Sequence, residues 1–371
     1  MIKPFKLIAI AVIVMLLTSC WDAKQLDDLY LVYGIGIDTS QEKQQHFLVT
    51  IVAPTIDPEA PEPKVEIHSE GESLRNAQDN IQNKAARRIT FANTKVLFIG
   101  EDVANKGIGI HIDSMLRDPE GRGTIKLLVV EGRAVNLMNV EPQTTALVSL
   151  YIFDLLKQSQ ETSTVPRVTL RSFNNDLKTD GIEPVIPFIK YGNKPSEFQI
   201  NSVGLFNKDK MVGIVEGIDS MLLTLLRSEV QDGFITLPYP LGEVEESSIL
   251  TLRVMRGKSK IETSLINNEL TIIQEVRLNA HISEYTSSAP VFDDKTIKSM
   301  EQAANSQIKI ICEELLKKLR NEFGVDSIGY GKYVKVNHPV FFDAEEWNEQ
   351  FSRANIIIKP NVKIQMVGSR Q

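Results

Sequence analysis

Apolar residues recur along this chain with two periods, and the switches between them mark its elements. Leu29 to Asp38 is dense in branched and aromatic residues and reads as a strand, with His46 to Ala53 as its hairpin partner. Val65 to Ser69 reads as an edge strand. From Ser73 onward Leu74, Ala77, Ile81 and Ala85 fall at helical spacing, and Arg87 and Arg88 lie at the end that favours cations. Lys95 to Ile99 is a buried strand, after which Gly100-Glu101-Asp102 opens a helix with acids in its first turn. Asp118-Pro119 then forces a break. Ile125 to Val130 is a further strand, followed by helical patterns over Ala134 to Met138 and Thr144 to Lys157. This order predicts a mixed α/β domain over 29–191.

Gly192 to Glu197 is polar with Gly and Pro, which suits a boundary. Ser202 to Phe206 and Met211 to Val215 make a hairpin, and Ile218, Met221, Leu222, Leu225 and Leu226 one face of a short helix. Together they suggest a small middle domain over 198–245. Three strands follow, Ile249 to Met255, Lys260 to Ile266 and Leu270 to Ile282, with Asn267-Asn268 as the tight turn between the last two. Ile297, Met300, Ala304, Ile308, Ile311, Leu315 and Leu319 then lie on one stripe. They predict a long helix over 296–323, capped by Asp294 at its start and Gly324 at its end. Asp343 with Glu346 forms a capping box ahead of the anchors Trp347 and Phe351. Ala354 to Met366 ends the chain as a strand whose Pro360 suits an edge. A third domain over 246–371 completes an α+β, mixed multi-domain architecture with largely antiparallel sheets packed against helices.

The first twenty residues are different in kind. Lys3 and Lys6 precede an unbroken apolar run of eleven residues, Leu7 to Leu17, and Leu17-Thr18-Ser19-Cys20 closes it. A spanning helix needs about 20 apolar residues, so segment 1–19 reads as a signal peptide. The tetrapeptide resembles a bacterial lipobox, which implies a diacylglyceryl group on the Cys20 sulfur. Acyl chains bind membranes at roughly 0.8 kcal/mol per buried methylene, and residues 20–28 would form a short lipidated tether. The alternative is an ordinary secreted protein whose cysteine falls at the cleavage site by chance.

Charge and cysteine content narrow the picture further. The 371 residues carry a net charge of −7, and −9 without Lys3 and Lys6. That balance argues against broad nucleic-acid binding. With Cys20 lipidated only Cys312 remains, so no intrachain disulfide is available and burial must stabilise the fold. The body of the protein is expected on the extracytoplasmic face of the cell membrane.

A search for chemistry returns little. His46, His68, His111, His281 and His338 are scattered outside any ligand spacing. No Gly-x-Ser-x-Gly elbow is present. The Gly-x-Gly pairs at 34–36, 107–109, 121–123 and 329–331 lack the third glycine of a dinucleotide fingerprint. Cys312, on the apolar flank of the long helix, reads as a buried inert thiol. Asp27-Asp28 and Asp293-Asp294 read as solvated element starts. The one dense polar cluster is Leu116 to Arg122, with Arg117, Asp118 and Arg122. It is either a docking surface whose Arg forks meet a partner's carboxylates or an internal turn network.

Several of these stretches together resemble the Ger(x)C family of spore germination lipoproteins. Cys20-Trp21-Asp22 and Leu31 to Asp38 are similar to its mature N-terminus, and Thr94 to Asp102 with Leu116 to Arg122 to its central signature. Gly204-Leu205-Phe206 with Lys208-Asp209-Lys210 is similar to the opening of its second half. Asp326 to Gly331, Pro339 and Trp347 to Phe351 are similar to its C-terminal region. The resemblance implies a lipid-anchored, non-enzymatic C subunit of a nutrient germinant receptor at the spore inner membrane, partnered by a polytopic A subunit and a transporter-like B subunit. It implies no cofactor beyond the lipid on Cys20, and no nucleic acid. The rival expectations are a solute-binding lipoprotein, which would show two similar α/β lobes around a cleft, and a surface enzyme with a site built from distant residues.

Overall fold

The computed structural model describes residues 28–55, 62–142, 144–194, 196–227, 230–239, 248–286 and 293–365. The signal segment, Cys20 and the tether up to Asp27 lie outside the described residues, as does 56–61 of the proline-rich excursion. Among the described residues no helix is long and apolar enough to cross a membrane.

The first sheet is built from a parallel centre with antiparallel hairpins on both flanks. Its strands are β2 (Gly34–Thr39), β3 (Phe47–Pro54), β4 (Lys64–Gly71), β6 (Val96–Gly100), β7 (Lys126–Val130), β8 (Val185–Tyr191), β9 (Phe198–Asn207) and β10 (Lys210–Glu216). Their order is β10-β9-β8-β7-β6-β2-β3-β4, with β2, β6, β7 and β8 parallel. Every residue of β6 is buried, the mark of a strand covered on both faces, which explains its continuous apolar run. The expected single strand from Leu29 divides instead. Short β1 (Leu29–Leu31) leaves to pair in parallel with β5 (Arg88–Thr90).

Around this sheet lie α1 (Leu74–Gln82), α2 (Glu101–Lys106), α3 (Gly109–Arg117), α4 (Ala134–Met138), α5 (Val148–Glu161), α6 (Leu170–Leu177) and α7 (Ile218–Arg227). Ser73 caps α1 by accepting from the Asn76 N–H at 3.2 Å. The one helix expected from Gly100 to Arg117 is two. Gly107 takes φ +123°, and Asp209, from the β9–β10 turn, accepts the N–H groups of Ile108 at 2.9 Å and Gly109 at 3.2 Å. A residue a hundred positions away therefore sets that break.

The second sheet has the order β11-β12-β13-β14, from β11 (Gly233–Tyr239), β12 (Ser248–Ile266), β13 (Glu269–Tyr285) and β14 (Asn355–Ile364). The strands expected at 249–255 and 260–266 are one continuous β12, with its register shifting between Val254 and Arg256. Asn267 and Asn268 turn it into β13 with φ of +50° and +66°, the left-handed pair that a tight hairpin requires. The segment 198–245 is shared out between the two sheets: β9 pairs with β8, and β11 with β12.

The stripe of apolar residues from Ile297 covers one face of this sheet as α8 (Asp294–Lys318), continued by a π-type turn over Leu319–Phe323. Met300, Ile308 and Leu315 are fully buried, each contributing roughly 1.5–3 kcal/mol. The start is capped by Asp293, one residue before the expected Asp294, accepting from the Thr296 N–H at 2.7 Å. Gly324 ends it at φ +65°, as its position predicts. Strand β14 is the edge. Its outward N–H groups at Val362 and Ile364 are taken by Asn305 and Glu301 of α8, at 2.8 and 3.0 Å. Pro360 shares their parity, so the N–H it lacks is one the ladder to β13 does not use.

Two further helices, α9 (Tyr330–Asn337) and α10 (Trp347–Arg353), close the second half. Asp343 accepts from the N–H groups of Glu345 and Glu346 ahead of α10, at 2.8 and 3.3 Å. The architecture is the expected α+β type. An eight-stranded mixed sheet beside a four-stranded one is not a pair of similar lobes, which removes the main structural expectation of a solute-binding lipoprotein.

Candidate functional site

The densest buried polar structure lies where the two halves meet. Asp326 is fully buried. Its Oδ1 accepts the Gly329 N–H at 2.8 Å, and its Oδ2 accepts the Gly331 N–H and the Trp347 Nε1–H, each at 2.9 Å. Burial pushes its carboxyl up, and these donors pull it back. The Asp326 carbonyl accepts the Glu183 N–H of the first half at 2.9 Å. Glu183 in turn accepts from the Lys208 N–H at 2.6 Å and Asn348 Nδ2 at 3.0 Å.

Arg227 of α7 crosses the same seam. Its guanidinium meets Asp176 at 2.7 Å and donates to the carbonyls of Glu183, at 3.3 Å, and Ser327. Deeper in, Tyr330 donates its hydroxyl to Gln274, whose amide donates to the Leu226 carbonyl at 2.8 Å. Gly181 and Gly331 let the backbones touch. A Cβ on Gly331 would lie 2.4 Å from the Gly181 Cα. These bonds tie the halves into one packed body, with the buried Ser327 hydroxyl left without a partner among the described residues. Sequence reasoning missed it. The available signal was an acid three and five positions ahead of two glycines, the spacing that lets one carboxylate accept both N–H groups.

The stretches that resemble a family signature also prove architectural. Asp38, 2% exposed, accepts from the Ala134 and Val135 N–H groups at 2.7 and 2.8 Å, capping α4. Burial raises its carboxyl against those donors. Gly100 passes beside it, where a Cβ would lie 2.2 Å from Asp38 Oδ1.

The three candidate residues of the polar cluster share a loop but not one another's side chains. Arg117, on the last turn of α3, is exposed and pairs with Asp113 at 2.7 Å. Asp118 organises the turn, accepting from the Glu120 N–H through its carboxylate at 2.8 Å and from the Gly121 N–H through its carbonyl at 2.9 Å. Glu120 ties the turn to β5 by accepting from the Thr90 hydroxyl and the Phe91 N–H, at 2.8 and 3.0 Å. A Cβ on Gly121 would meet the Met115 carbonyl at 2.1 Å, so glycine is what fits. Arg122 points to solvent beyond it. The loop is a rigid turn network that presents two arginines, and a groove of about 260 Å³ runs beside it.

Two other groups singled out by sequence are buried. Cys312 is wholly enclosed, and burial pushes its thiol up to about 12, which makes it inert. His111 is 4% exposed, lies edge-on to Phe47 at 4.3 Å, and has no partner for Nε2 among the described residues. Burial lowers its pKa from 6.5 to about 4. Above that upper value it is neutral in both states. As pH falls the unfolded chain takes the proton first, so stability is expected to drop between pH 6.5 and about 4 by up to about 3 kcal/mol. Urea melts across that range check this. His111→Leu should flatten the profile, and an unaltered profile would assign the loss to other groups.

Comparison with known proteins gives two consecutive family matches. Residues 22–191 match the model described as spore germination protein N-terminal domain, and residues 201–368 the one described as spore germination B3/GerAC like, C-terminal. The spore germination protein GerQC of Bacillus cereus is 22% identical, covering 95% of this chain and 96% of that protein. Spore germination protein KC of Bacillus subtilis is also 22% identical, over 96% and 94%. Among solved structures, the crystal structure of the GerBC protein superposes with a TM-score of 0.59 at 15% identity, covering 94% of this chain and 100% of that one.

Proposed function

Since the chain belongs to the Ger(x)C family of spore germination proteins, we propose that it is the lipid-anchored, non-enzymatic C subunit of a nutrient germinant receptor. The observation that carries this reading is the run of family matches from residue 22 to 368, directly after the lipobox-like Leu17 to Cys20. In this reading Cys20 bears the lipid and holds the body at the outer face of the spore inner membrane. Its partners are the receptor's A and B subunits, with which it acts in assembly or signalling. Arg117 and Arg122, exposed on a loop held rigid by Asp118 and Glu120, suit pairing with a partner's carboxylates.

Spores carrying Cys20→Ala test the proposal, since that change removes the thiol and leaves every described contact in place. The protein is expected to leave the inner-membrane fraction and one nutrient response to be lost. A parallel strain with Arg117→Glu and Arg122→Glu should keep the protein in the membrane but lose co-purification of the A subunit. Normal germination by spores whose Cys20→Ala protein has left the membrane would overturn the receptor reading.

A further inference from the structure

Beside the seam opens a cleft of about 470 Å³. One wall comes from the first half, residues 160–182, and the other from Thr224, Arg227, Gln231, Ile328 and Lys332. Among the described residues three cations line it, Arg167, Arg227 and Lys332, against one carboxylate, Asp176. That carboxylate is already committed to Arg227 at 2.7 Å, and Arg227 directs its other donors to two carbonyls. Arg167, exposed, and Lys332, half-buried, are left without an ion pair among the described residues. Lys126 stands just behind, where burial and then the charge of Arg167 push its ammonium down.

A surplus of positive charge in a partly desolvated cleft is costly unless something neutralises it. It is also out of character for a chain of net charge −7. The remaining lining is mixed. Val165, Val168, Ile182 and Ile328 supply an apolar floor and Gln231 an amide, while the Gln160 amide is already taken by Lys126 and the Pro166 carbonyl. Such a combination suits a small organic ligand held by a few oriented polar groups. Two uncommitted cations call for two negative charges, and the apolar floor calls for carbon between them.

We propose that this cleft binds a small organic dicarboxylate, its two carboxylates met by Arg167 and Lys332 and its carbon chain laid on Val168 and Ile328. Because the walls come from both halves of the chain, an occupied cleft ties those halves together and stabilises the folded body by mass action. Burial, and after it the charge of Arg227, hold the Lys332 ammonium below its usual range against the pull of Asp176 and Asp326, and an anion beside it would offset that burial. The site goes beyond the subunit role and does not depend on the lipid anchor.

The test is calorimetric titration of the full-length chain in detergent with succinate and, separately, with inorganic phosphate at matched ionic strength. Succinate should bind once per chain and raise the thermal midpoint, with phosphate much weaker because it lacks an apolar body. Lys332→Met and Arg167→Met should each weaken succinate by about tenfold or more. Methionine keeps the apolar stem, and Lys332→Met removes a desolvated cation, so the ligand-free variant should melt no lower than the parent. That control separates a lost ligand contact from a lost fold. No succinate binding, equal binding of phosphate, or unchanged affinity in both variants would overturn the assignment.

Discussion

Asp326→Ala is expected to destabilise the protein by about 3–5 kcal/mol, the range for removing one member of a buried charged network. The substitution strips three N–H donors, those of Gly329, Gly331 and Trp347, of their acceptor. Each stays buried, and a buried donor without a partner costs about 1–3 kcal/mol. It also removes a negative charge near Arg227, whose guanidinium is deeply buried and draws on both Asp176 and Asp326. Asp326→Asn should cost less, because it keeps the volume and one acceptor oxygen while turning an NH₂ toward an N–H. Urea unfolding followed by tryptophan emission reads both variants. Trp347 donates to this carboxylate and is one of two tryptophans in the chain. A midpoint for Asp326→Ala equal to the parent's would show that the carboxylate does not hold the seam.

The second large effect is expected at the crossing of two glycines. A methyl on Gly331 would lie 2.4 Å from the Gly181 Cα and 2.6 Å from the Trp347 indole. Alanine is the better helix former by about 1 kcal/mol, so propensity alone predicts that Gly331→Ala in α9 stabilises. Overpacking against backbone works in the opposite direction at about 1–3 kcal/mol or more, and here no flexible side chain can move aside. Net destabilisation of about 2 kcal/mol or more is therefore expected. Gly181→Ala should be worse. Its new methyl would meet the Gly331 carbonyl carbon at 2.3 Å, and its φ of +83° adds left-handed strain of roughly 1–2 kcal/mol. Gly324→Ala isolates the left-handed strain, since at φ +65° its methyl meets nothing within 4 Å. Thermal melts in which Gly331→Ala matched or exceeded the parent would remove the steric account.

Locally encoded features were legible because local physics decides them. The stripe from Ile297 to Leu319 requires a helix with one buried face, and Gly324 ends it in the left-handed conformation that glycine adopts without strain. Asn267-Asn268 demands a tight hairpin whatever surrounds it. Pro360 announces an edge because its missing N–H must go unused. Arg117, Asp118 and Arg122 could be picked out as a cluster, but their spacing favoured a turn network without excluding a docking surface. Contacts at 2.8–3.0 Å from Asp118 and Glu120 make the loop a rigid turn, while Arg117, paired with Asp113, and Arg122 stay exposed on its surface.

The class of the chain can be read from local patterns alone. Its elements and their faces follow from periodicity, and the candidate anchor follows from twenty residues whose charge and apolar length need no tertiary contact to be read. Where elements stop and which groups meet depends instead on contacts between distant segments. The break at Gly107 depends on Asp209, and β12 runs on through Gly257 because Val230 bridges to it in both directions. Helix α4 is capped by Asp38, and the seam is held by Asp326, Glu183 and Arg227, acting on partners up to 165 positions away. Hydrogen bonds between residues so far apart leave no period in the sequence, since their geometry exists only once the chain has folded.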